Sequence, residues 1–210
     1  MNKTVIILAA GECRRFEGTI KQLLPICDGE NFLTRMIRQC QERNCFDIYV
    51  ATHNEEIIIA VQNIGVKTFV PENRSFTCET ILSTKELWND KTIVLLGDVY
   101  YTKNYMDIIF RYGENNQPDI KFFASPFEVH AFRFDNYYHQ IIEKHLIDIL
   151  SVAKAQSHGK VRRLMEKFDK SHLVPNRDHS RDIDLANQYE IFKREIVQER
   201  KHKLDDRKSS

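Results

Sequence analysis

The sequence predicts a single Rossmann-like α/β domain of three layers with a mostly parallel central sheet, and three observations carry that prediction. Strand and helix signals alternate from Thr4 through Leu96, the mark of successive βαβ units. Thr4 to Ala9 is a continuous, largely apolar run, as a strand covered on both faces requires. A chain of 210 residues suits one such domain and can bury a substantial core.

The elements follow in order. After the first strand, Phe32, Met36, Ile37 and Cys40 recur at helical spacing with Arg35, Arg38 and Gln39 between them. Phe46 to Ala51 reads as the second strand, Glu55 to Ile64 as a helix, and Val66 to Val70 as a third strand stopped by Pro71. Thr77 to Trp88 reads as one helix, and Thr92 to Leu96 as a buried strand running into Gly97-Asp98. The second half is less regular. Ile120 to Ala124 and Val129 to Phe134 are strand-like on either side of Ser125-Pro126-Phe127, and a helix is expected over Tyr137 to Ala155. His172 to Val174 is a short strand closed by Pro175, which cannot donate to a ladder. A last helix carries Tyr189, Ile191, Phe192 and Ile196. Residues 1–198 are expected to form the domain, and residues 199–210 a charged tail that frays.

Composition excludes several classes of function. The net charge is +1, with cations and carboxylates interspersed, so the broad basic surface of a nucleic-acid binder is not expected. The first apolar run is short for a signal sequence and is followed at once by Gly11-Glu12-Cys13-Arg14-Arg15, which favours a buried strand. No stretch is long enough to cross a bilayer, so membrane insertion is not expected. The five cysteines are odd in number and lack CxxC pairing, which points to free thiols and a cytoplasmic setting.

Chemistry is concentrated in the turn after the first strand, Leu8-Ala9-Ala10-Gly11-Glu12-Cys13-Arg14-Arg15-Phe16, and in the following Lys21-Gln22-Leu23-Leu24-Pro25. Small residues admit a ligand close to the backbone, and successive turn N–H groups can form a concavity for an anion. Arg15 and Lys21 at the ends of such a loop would neutralise a triphosphate that is losing pyrophosphate. Taken alone, the segment reads equally as a tight strand-to-helix turn with two solvated cations.

These residues resemble the signature of the nucleotidyltransferase superfamily with the GT-A-like fold, roughly L-A-A-G-x-G-x-R-[MF] and then P-K-x-L-L. The MobA-like NTP transferases belong to that superfamily. The correspondence runs through Leu8, Ala9, Ala10, Gly11, Arg15, Phe16, Lys21, Leu23 and Leu24, while Cys13 stands at the usual second glycine and Ile20 at the usual proline. The resemblance implies that Leu8, Ala9, Ala10, Gly11, Glu12 and Cys13 cradle the nucleotide and that Arg15 and Lys21 are catalytic. It also implies metal carboxylates at Asp98, in a Gly-Asp-Val context at a strand end, and at Asp184 in Asp182-Ile183-Asp184. Leu185 and Gln188 depart from that second motif. The cofactor implied is Mg²⁺, which takes a couple of carboxylates together with phosphate oxygens and water. Taken alone, Asp98 is also a turn residue and Asp184 a helix cap.

By the same resemblance, Asn73, Thr80 and Ser83 are candidates for base contacts, with helix capping as the alternative for each. Arg177, His179 and Arg181 are candidates to clamp the acceptor's phosphate, or form a solvated basic loop. The Ala-Ala-Gly form of the loop is closest in pattern to small cytidylyl- and uridylyltransferases, so CTP is favoured and UTP second. The expected reaction is transfer of a nucleoside monophosphate from the NTP to a phosphorylated small molecule with release of pyrophosphate, in supply of a surface polysaccharide or lipid headgroup. A glycosyltransferase of related fold and a catalytically silent nucleotide-binding domain are the alternatives. A homodimer is left open.

Overall fold

A computed structural model describes residues 2–11, 19–27, 29–111, 118–153, 159–178, 180–182 and 188–196. Its centre is a sheet of seven strands in the order β10-β8-β9-β6-β1-β4-β5. These are β1 (Lys3–Leu8), β4 (Ile48–Ala51), β5 (Lys67–Phe69), β6 (Lys91–Leu96), β8 (Ile120–Ala124), β9 (Val129–Asp135) and β10 (Leu173–Pro175). β5, β4, β1 and β6 run parallel, as do β8 and β10, and β9 lies antiparallel between β6 and β8. The predicted mostly parallel three-layer architecture is present.

Alternation along β1 divides the core in two. Val5 and Ile7 face α1 (Phe32–Gln41), where Leu33, Met36 and Ile37 meet them. Ile6 and Leu8 face the opposite layer, with Cys78 and Ile81 of α3 (Thr77–Ser83) and Ile142 and Leu146 of α5 (His139–Val152). Period two on a strand buried on both faces thus explains the continuous apolar run. Cys40, Cys45 and Cys78 are buried free thiols, and burial pushes the last two up to about 11 and about 12.

Several boundaries differ from the sequence expectation for identifiable reasons. The second strand starts at Ile48, and Phe46 is 73% exposed in the approach to it. The helix expected over Thr77 to Trp88 ends at Ser83, because the Thr84 hydroxyl donates to the Ile81 carbonyl at 2.7 Å; a short 3₁₀ turn then covers Lys85–Leu87. Four pieces were not anticipated: the hairpin of β2 (Pro25–Cys27) and β3 (Glu30–Asn31), the helix α4 (Lys103–Phe110), the short α6 (Val161–Met165), and the ribbon of β7 (Val99–Tyr100) with β11 (Arg181–Asp182). α2 itself spans Glu55–Gln62, opened by Asn54, whose side chain accepts from the Ile57 amide. The closing helical residues 188–196 bring Tyr189, Phe192 and Ile196 onto Ile26 and Phe32. The tail at 199–210 lies outside the described residues. Among the described residues no helix is long and apolar enough to cross a membrane.

Gly97 lies close against the end of β1. Its N–H donates to the Leu8 carbonyl at 2.9 Å, and a Cβ there would lie 2.7 Å from that same oxygen. Gly97→Ala should therefore lower stability by about 1–3 kcal/mol through overpacking. A thermal melt of the variant checks this, and an unchanged Tm would contradict the close approach.

Candidate functional site

Ligands of open α/β sheets bind beyond the carboxyl ends of the parallel strands. At that end the β1 chain continues through Ala9 and Ala10, both buried. Two contacts fix its exit. The Ala9 N–H donates to the Ala51 carbonyl at 2.9 Å, and the buried Thr52 hydroxyl donates to the Ala9 carbonyl at 3.0 Å. Leu8, Ala9, Ala10 and Gly11 are thus held at the mouth of the site. Glu12, Cys13 and Arg15 lie outside the described residues.

The chain returns at a 3₁₀ turn, Lys21–Leu23, closed by Leu23 N–H to Ile20 and Leu24 N–H to Lys21 bonds of 3.0 Å each. Ile20 and Leu23 pack on the core beside α1 and so anchor Lys21 from both sides. The Lys21 side chain is 11% exposed, and its Nζ lies 3.5 Å from Oδ2 of Asp98. Asp98 stands between β6 and β7, with its carboxylate one-third exposed. Two sequence candidates far apart in the chain therefore meet.

The third motif approaches the same place through its neighbour. β11 pairs antiparallel with β7, so Asp182 lies opposite Val99, the residue after Asp98. The approach is braced: the Thr102 N–H donates to the Ser180 hydroxyl at 2.8 Å, and the Asn176 N–H donates to the Ala124 carbonyl at 2.7 Å. Asp184 and His179 lie outside the described residues.

The remaining candidates are dispersed. Arg177 is exposed and borders a separate cavity of about 240 Å³ beside Tyr105 and Val174. Arg181 forms an ion pair with Glu195, its guanidinium 5.2 Å from the Phe192 ring centroid. Asn73 and Ser83 are brought together, the Ser83 hydroxyl lying 3.4 Å from the Asn73 carbonyl and 2.9 Å from that of Glu79. Thr80 is buried, with its hydroxyl 3.4 Å from the Phe76 carbonyl.

Beside Asp98 opens a cleft of about 160 Å³ whose lining includes Thr77, Glu128, His130, Lys160 and Arg162. Sequence reading singled out none of the five, because they come from three segments without a motif that meet through the reversed direction of β9 and the close approach of Gly159 to Phe76. The one signal available was His130, a lone histidine inside the apolar strand Val129 to Phe134. Tyr101 ties β6 to β9 beneath the cleft's strand side. Fully buried, its hydroxyl accepts from the Leu96 N–H at 3.1 Å and donates to the His130 carbonyl. Burial raises the Tyr101 hydroxyl well above its ordinary value, so it stays a neutral strut.

No curated protein matches the chain. Among solved structures, the CTP:phosphocholine cytidylyltransferase LicC of Streptococcus pneumoniae is similar, with a TM-score of 0.71 and 15% identity over 93% of this chain and 100% of that one. HddC of Yersinia pseudotuberculosis is similar too, with a TM-score of 0.65 and 16% identity over 93% of this chain and 100% of that one. At such identities the likeness is one of fold. The family described as the MobA-like NTP transferase domain matches residues 5–174, from the first strand to the last strand of the large sheet. A match of that extent means that the chain belongs to the MobA-like NTP transferase family.

Proposed function

We propose that the chain moves a nucleoside monophosphate from CTP, or second from UTP, to a phosphorylated small molecule in a Mg²⁺-dependent reaction. An oxygen of the acceptor's phosphate attacks the α-phosphorus in line, the bond from that phosphorus to the bridging oxygen breaks, and pyrophosphate leaves. The nucleophile is already an anion, so no side chain need remove a proton. What the protein supplies is alignment and charge. Lys21 meets the negative charge growing on the α-phosphate, Arg15 shares that work, and the amides of Leu8 to Cys13 cradle the triphosphate. Asn73, Thr80 and Ser83 border the base.

The observation that carries this reading is the 3.5 Å approach of Lys21 to Asp98 at the carboxyl ends of β1 and β6. The donor set also suits the metal. In this reading protein ligation rests on the one-third exposed Asp98 and, by the resemblance of its motif, on Asp184. That is the sparse carboxylate set Mg²⁺ accepts when phosphate oxygens and water complete its shell. When bound, the ion would offset charge on the phosphates. For CTP the support is the Ala9-Ala10-Gly11 loop and the stated donor of the similar Streptococcus enzyme; the Yersinia protein, known with GMP-PN, shows that a related fold takes a purine.

A screen of the four NTPs against phosphorylated metabolites, read as pyrophosphate release, tests the proposal. CTP should give the highest turnover. Pyrophosphate release with no combination, despite nucleotide binding, would favour the silent nucleotide-binding domain.

A further inference from the structure

The cleft beside Asp98 lies across β6 from the β1 loop. Because β9 runs against β6, with Leu95 paired to Ala131, Glu128 and His130 arrive at the same sheet end as Asp98. Residues 159–162 form the opposite wall and are firmly placed. Gly159 approaches Phe76 so closely that a Cβ would lie 2.4 Å from the Phe76 Cβ. Next to it, the Lys160 carbonyl is 3.5 Å from the Cys78 Sγ. Lys160 Nζ then donates to Glu128 Oε1 at 2.6 Å, and Arg162 donates to the carbonyls of Pro126 and Phe127 at 3.1 and 3.2 Å. His130 is 2% exposed, and its Nδ1 is buried without a hydrogen-bond partner among the described residues.

Resting on the nucleotidyl-transfer reading, we infer that this cleft is the acceptor subsite and that it takes a hydroxyl-rich acceptor, a sugar or polyol phosphate, in preference to a phosphorylated quaternary ammonium. A hydroxyl both donates and accepts. The Glu128–Lys160 pair offers both functions at one point, since the ammonium has two further N–H donors and the carboxylate a second oxygen. His130 adds a buried polar ring, and burial holds it below its ordinary pKa, hence neutral near pH 7. A quaternary ammonium has no N–H to donate and is held by aromatic faces. Among the described residues this lining contains no Trp, Tyr or Phe, and Lys160 and Arg162 oppose a second cation while balancing Asp98 and Glu128.

The test measures kcat/KM with the best NTP for hexose 1-phosphates and alditol phosphates against phosphocholine and phosphoethanolamine. At least one hydroxyl-rich acceptor should exceed phosphocholine by about tenfold or more. Glu128→Gln and Lys160→Met should each raise the KM for that acceptor about tenfold, with the NTP KM within about twofold and the melting temperature retained. If phosphocholine equals or exceeds every hydroxyl-rich acceptor, the inference falls and nucleotidyl transfer stands. If only some other phosphorylated metabolite supports turnover, the inference falls and nucleotidyl transfer stands; if none does with any NTP, both fall. Equal changes in both KM values would also overturn the assignment of Glu128 and Lys160.

Discussion

Asp98→Asn and Asp184→Asn should each reduce Mg²⁺-dependent turnover by about three orders of magnitude, from the several kcal/mol that such an ion contributes to phosphoryl chemistry. The fold should survive. Asp98 is one-third exposed and its contact with Lys21 is long, at 3.5 Å, so its loss should cost within about 1 kcal/mol of stability. Asn keeps the shape and removes the charge. The double variant should be little slower than either single one, since both carboxylates are proposed to act on one ion. The positioning behind the prediction is the β7–β11 ribbon, which sets Asp182 opposite Val99, adjacent to Asp98. If Asp98 were only a turn residue and Asp184 only a helix cap, the substitutions would cost about 0.5–2 kcal/mol of stability and leave turnover intact. Steady-state rates across a Mg²⁺ titration, with a thermal melt of each variant, separate the two outcomes.

Lys21→Ala should lower kcat by about 10²–10³ while changing the KM for the NTP much less. The side chain is mostly buried, held in a turn pinned by Ile20 and Leu23, and aimed at Asp98. A cation fixed in advance pays little reorganisation when charge builds on the α-phosphate, so its effect falls on the transition state. Near-normal kcat in the variant would remove Lys21 from the chemistry. A large rise in KM with kcat retained would make it a binding residue only.

The parts of the fold legible in sequence are those governed by local periodicity. β1 declared itself because both its faces are buried, and α1 because Phe32, Met36, Ile37 and Cys40 follow the helical repeat into the core. The ends were harder, since they depend on single contacts: Thr84 bonding back to Ile81 cuts short a helix whose apolar pattern continues to Trp88. The two-residue β7 and β11 carry no periodicity at all, and their pairing is long-range. The same division holds at the site. Lys21 and Asp98 could be named from motifs, and the fold brings them together. Glu128, His130 and Lys160 gain their common cleft from the reversed β9 and from the closeness of Gly159 to Phe76. No spacing in the chain encodes that meeting.

The most direct test of the central claim, that nucleotide reacts between the β1 loop and Asp98, is a crystal structure with a non-hydrolysable CTP analogue and Mn²⁺ in place of Mg²⁺. The account predicts the α-phosphate within hydrogen-bond reach of Lys21, about 2.7–3.2 Å, and an anomalous peak within direct coordination distance of carboxylate oxygens of both Asp98 and Asp184. A triphosphate bound away from Lys21, or a metal that touches neither aspartate, would contradict it.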